Sequence, residues 1–186
     1  MKASVRIALI LLLSPVLFSS CNNCDTPVVT SLQPEDTAWL PYKQGDTIRY
    51  LNESNAAVFF ICTEVAQGTI PADGYSPDEK CIDKQNTQAD YIIKDIKDKY
   101  NALATLIVRK PESLEVKLAA EKNSSWEIDE NNPKYPSLEL NGTTYSQVFE
   151  VNLDSTKTGS LKRLLYSQTN GFIRAEYYDG RLLQLR

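Results

Sequence analysis

Apolar and polar residues alternate with period two along most of this chain, which predicts β-strands rather than helices. Thr47-Ile48-Arg49-Tyr50-Leu51 and Ala57 to Val65 form the first hairpin pattern, joined by the polar turn Asn52–Asn55. Leu114, Val116 and Leu118 alternate with Glu115 and Lys117, and Trp126 and Ile128 continue the rhythm. Ala104 to Val108 reads as a further strand. The last third is a meander, with Asn141-Gly142, Asn170-Gly171 and Asp179-Gly180 as tight-turn signals between apolar runs. Two stretches are less clear. Ala66 to about Ala89 holds prolines, glycines and many charges and reads as a long loop. Tyr91 to Ile96 fits helical spacing through Ile92, Ile93, Ile96 and Tyr100, but its β-rich neighbours favour a strand. The pattern predicts a mainly β fold: one antiparallel domain, a meander closing into a sandwich or open barrel, with few or no helices.

The exception to the alternation is the N-terminus. Lys2 and Arg6 precede the apolar run Ile7–Phe18, which is shorter than the roughly 20 residues a membrane span requires. The arrangement fits a secretory signal. Leu17-Phe18-Ser19-Ser20-Cys21 resembles the bacterial lipobox, an apolar residue and two small residues before a cysteine. The resemblance implies cleavage before Cys21 and palmitate-type acyl chains on its sulfur and new N-terminus. Asn22 to about Glu35 shows no periodicity. The expected organisation is therefore a signal peptide over 1–20, a lipidated flexible tether over 21–38, and a β domain over 39–186.

Composition narrows the chemistry. The signal holds Lys2 and Arg6 and no acid, so its removal takes the formal charge from −4 to −6. An acidic surface argues against a nucleic-acid partner. The chain has no histidine, which removes Ser-His-Asp and Cys-His nucleophiles and any His-ligated metal centre. No cofactor or metal motif is present. The acidic pairs Glu35/Asp36, Asp78/Glu79, Asp95/Asp98 and Asp129/Glu130 lie in polar runs and read as solvated surface. Ten tyrosines suit either half-buried strands or a recognition surface.

Of the four cysteines, lipidation consumes Cys21, which also removes a redox reading of Cys21-Asn-Asn-Cys24. An exported domain permits disulfides. Cys62 and Cys81 are expected to pair across the long loop, leaving Cys24 over.

Asn141-Gly142-Thr143-Thr144-Tyr145-Ser146-Gln147-Val148-Phe149 resembles a recurring segment of small, mostly uncharacterised lipoproteins of Bacteroidetes-type bacteria. Leu165-Tyr166-Ser167, Asn170-Gly171-Phe172-Ile173 and Asp179-Gly180-Arg181-Leu182 resemble their closing segment. The resemblance implies attachment at the outer membrane or cell surface and carries over no catalytic residue. Asp36-Thr37-Ala38 resembles the O-glycosylation signal of the same bacteria, which makes Thr37 a candidate acceptor.

These readings point to a non-enzymatic binding or structural lipoprotein of the cell envelope. It would be held to the membrane through Cys21 and engage an envelope protein or glycan. Two alternatives stand beside it: a carrier of an apolar ligand in the curved sheet, and a carboxylate-dependent hydrolase of envelope sugars.

Overall fold

The computed structural model describes residues 24–76, 78–120, 125–153 and 159–186. The strands are β1 Val28–Thr30, β2 Thr47–Leu51, β3 Ala57–Pro71, β4 Lys84–Asp95, β5 Leu103–Arg109, β6 Leu114–Ala120, β7 Ser125–Ile128, β8 Tyr135–Leu140, β9 Thr143–Asn152, β10 Leu161–Ser167, β11 Gly171–Tyr177 and β12 Leu182–Leu185. One short 3₁₀ turn, Asp36–Trp39, lies between β1 and β2.

The strands form a single sheet in the order β7-β6-β5-β4-β3-β2-β12-β11-β10-β9-β8, antiparallel throughout, and β1 adds in parallel to the end of β4. The sheet curls into a half-barrel. The mainly β, open-barrel expectation thus describes the molecule. Tyr91–Ile96 is strand, as preferred, up to Asp95. The chain's last strand occupies a central place: β12 pairs with β11 through Arg174–Gln184 and with β2 through Leu185–Tyr50.

Alternation builds the core. Tyr50, Phe60, Tyr91, Ile107, Leu118, Leu164, Tyr166, Phe172 and Leu183 all face one side and are buried. Large aromatic rings fill the hollow, each contributing 150–250 Å² of buried surface in general. A second apolar cluster, Tyr145, Val148, Leu165 and Ile173, packs on the opposite face beneath the β8–β9 hairpin. Within β9, Gln147 adopts a φ of 48°, and the buried residues fall at Tyr145 before it and at Val148 and Phe149 after it.

Three expectations need correction. The long loop over 66–89 is mostly strand: β3 runs on to Pro71 and β4 starts at Lys84. Many of its polar residues lie on the exposed β3 arm, Gln67 and Thr69 among them, while Asn86 and Thr87 are buried on β4. The segment 24–38 is not a free tether. Val28–Thr30 pairs with Lys84–Asn86, and the buried Asp36 carboxylate takes a bidentate grip from Arg109 at 2.7 and 2.8 Å. The disulfide is Cys24–Cys81, with Cα atoms 5.2 Å apart, and not Cys62–Cys81. Strand alternation turns Cys62 into the core, where it is a buried free thiol. Cys81 sits on the exposed connection that leads into β4 and is bonded to Cys24.

Candidate functional site

The most distinctive surface is one side of the β3–β4 hairpin. β2 accompanies β3 only from Ala57 to Ile61. Residues 44–46 extend that cover by two more positions. Gly45 N–H donates to the Cys62 carbonyl at 2.8 Å, Cys62 N–H to the Asp46 carbonyl at 2.9 Å, and the Gln44 amide to the Thr63 carbonyl at 3.3 Å. A bulge between Cys62 and Glu64 then shifts the register, and the chain leading into β2 turns inward through Tyr42, edge-on to Tyr91 at 5.1 Å.

Beyond that point β3 is an edge. An antiparallel ladder alternates residues bonded to the partner with residues whose N–H and C=O point away from it. Ala72 N–H donates to the Lys84 carbonyl at 3.0 Å, which fixes the phase. With Ile70 opposite Asn86, Gly68 opposite Gln88 and Ala66 opposite Asp90, those three bond inward to β4. Val65, Gln67 and Thr69 therefore present both backbone groups outward. Among the described residues, none supplies these groups with a backbone or side-chain partner. The side chains of the three stand opposite Tyr91, Ala89 and Thr87. Their partners are buried, yet all three are exposed, with Val65 at 43%.

Native edges are usually blunted by lysine, proline or shortness. This one has no basic residue and no proline between Thr63 and Ile70. Its one charge, Glu64, lies on the opposite face near Asp90. Burial, and then the Glu64 charge, raise the Asp90 carboxyl above its ordinary range.

A shallow groove of about 390 Å³ lies at the far end of the same hairpin, with Val58, Phe59, Ile96 and Tyr100 on its apolar wall. Phe59 and Ile96 are 43% and 60% exposed at its lip. The groove is rigidly framed. The Asp95 carboxylate accepts from Lys97 and Lys99 N–H, and Arg181 lies 4.5 Å above the Tyr177 ring while donating to the Lys99 carbonyl.

Two of the buried acids have structural partners. Asp36 is tied to Arg109 and to Gln33 N–H, and Asp95 caps its own turn. A cleft between β7 and β9 gathers Glu127, Asp129, Lys134 and Glu150. Burial pulls the Glu150 carboxyl up, but Asn152, Tyr135 and the Arg163 charge outweigh it and hold the group below its ordinary value. A general acid requires the opposite shift.

The tyrosines are mostly structural. Tyr50 and Tyr166 donate from the core to the Phe172 and Trp39 carbonyls, and Tyr91 accepts from Thr105. Burial pushes the Tyr166 hydroxyl up to about 12. Thr37 is exposed on the 3₁₀ turn, its hydroxyl donating to the Pro34 carbonyl at 2.7 Å. Cys21 lies outside the described residues. The open edge escaped sequence reading because its polar composition resembles a loop. The usable signals were the β-branched Thr69-Ile70 and Thr87 flanking the turn Asp73-Gly74. No family model, curated protein or solved structure matches the chain.

Proposed function

We propose that this protein is a lipid-anchored, non-enzymatic binding component of the cell envelope, at the outer membrane or cell surface. It takes up an extended segment of another envelope polypeptide as an added strand along β3. The observation that carries the reading is the run of outward backbone groups at Val65, Gln67 and Thr69. Main-chain hydrogen bonds supply affinity in this mode, and alternate side chains supply selectivity. The attachment through Cys21 and the kinship with small Bacteroidetes-type lipoproteins rest on the lipobox and the closing meander described above.

The carrier alternative would require an empty hollow. Trp39, Tyr50, Tyr91, Tyr166 and Phe172 occupy the hollow, which favours strand addition at the edge over ligand storage inside. The glycan-hydrolase alternative is disfavoured by Glu150, whose carboxylate accepts from Tyr135 and Asn152 and is held below its ordinary value.

Proline at an outward position removes an external donor without touching the inner ladder. Random nine-residue peptides selected on the full chain provide the probe. Selected peptides should slow hydrogen exchange at Val65, Gln67 and Thr69 and lose at least about tenfold in affinity for Gln67→Pro, about 1.4 kcal/mol. Peptides that bind wild type and Gln67→Pro equally, leaving these amides unprotected, would refute the reading.

A further inference from the structure

The Cys24–Cys81 bridge changes what a lipid on Cys21 would do to the domain. A free tether over residues 21–38 could extend roughly 60 Å and leave orientation undefined. Instead, only three peptide units separate Cys21 from Cys24, a reach of at most about 11 Å. Cys24 is bonded to Cys81, and four residues on the chain is locked to β4 by Val28 N–H donating to the Asp83 carbonyl at 2.8 Å. The anchoring point is thereby fixed at one pole of the half-barrel.

That same pole carries the most exposed large apolar side chain, Val28 at 72%, with Val29 beside it at 42%. They are successive residues of a strand, so they project to opposite faces of β1. Both faces of the strand are therefore apolar where it meets solvent. The charges around them are mixed, with Asp25, Lys80, Asp83 and Lys84 nearby in the chain, so nothing here favours an anionic surface in particular.

We infer that the pole formed by β1 and the Cys24–Cys81 bridge is a membrane-facing surface. Val28 and Val29 rest at the headgroup–acyl boundary, and the β3–β4 hairpin rises away from the bilayer. The inference rests on the lipid at Cys21 proposed above. It sets the outward groups of Val65–Thr69 close to the membrane. The Phe59–Ile96 groove stands about 20–33 Å further along β3, six residues from Val65 and ten from Thr69 at strand rise.

The test uses the full lipidated chain, with Cys62→Ala, in phosphatidylcholine vesicles. A polarity-sensitive fluorophore is placed at Val28→Cys or at Phe59→Cys, and lipids bearing a nitroxide serve as quencher. The label at position 28 should be quenched several-fold more strongly than the label at 59. Adding Cys24→Ser and Cys81→Ser should reduce that contrast while the chain still floats with the vesicles. Equal quenching at the two positions in a floating chain would overturn the orientation while leaving the anchor intact. So would a label at 28 that is shielded from water but untouched by the lipid-borne quencher, which would mean that protein covers Val28. A chain that does not float refutes the lipid at Cys21, and the inference falls with it.

Discussion

The two ends of the described chain are attached in opposite ways. The C-terminal stretch from β10 to β12 is held by adjoining antiparallel ladders, with two register shifts between β10 and β11. The N-terminal stretch, residues 24–39, is held at separate points. These include the bridge to Cys81, the three pairs of β1, the Asp36–Arg109 grip, and Trp39 buried 5.1 Å from the Phe149 ring. A ladder spreads its stabilisation over many small contributions. A point attachment concentrates it, so that one substitution can release a whole segment.

The contrast is broken most severely at the C-terminus, because β12 joins two halves of the sheet. Deleting Gly180–Arg186 removes Leu183, which is fully buried, and separates β2 from β11. Loss of the cooperative thermal transition is expected, and a melting curve like that of wild type would contradict the central role of β12. At the N-terminus, Asp36→Ala leaves Arg109 without its partner. Removing one member of a buried ion pair costs about 3–5 kcal/mol, measurable as a lower denaturant midpoint. A smaller drop in an Asp36→Leu, Arg109→Met double variant would separate the pair's geometry from its burial cost.

The smallest expected effect concerns the middle of the β3–β4 hairpin, at Asp90. Asp90 has its carboxyl raised by burial and by Glu64. Such a group contributes stability below its unfolded pKa and loses it as pH rises through the folded value. Asp90→Asn should therefore melt slightly higher than wild type at neutral pH, and the difference should disappear in acid below the ordinary carboxylate range. A constant difference across pH would assign the effect to packing instead.

The same contrast governs what could be read from sequence. The meander announces itself because turn residues and alternation repeat: Gly171 and Gly180 adopt φ of 71° and 87°, conformations that glycine alone tolerates freely. At Gly171 an added Cβ would also come within 2.6 Å of the Tyr42 hydroxyl. The N-terminal segment offers no period, because the contacts that fasten it to the sheet are to residues far away in the chain. Asp36 looks like any surface acid until Arg109 is seen beside it. The disulfide is a related case. An exported compartment and a place in the body of the domain favour Cys62 and Cys81 as partners, but alternation in β3 buries Cys62 and leaves Cys81 bonded to Cys24. The open edge of β3 is the reverse case, a strand hidden by polar residues because its own side chains are exposed while those of β4 opposite are buried.

The position of β12 also sets the order in which the molecule can come into being. Tyr50 can pair with Val58 of β3 early, but its neighbour on the other side, Leu185, comes only with the last few residues. Contacts so distant in sequence make for slow closure. During that wait β2 is a second bare edge beside β3, and the aromatic interior is open to solvent. Until the final residues emerge, the chain is a set of hairpins that has not yet chosen its inside.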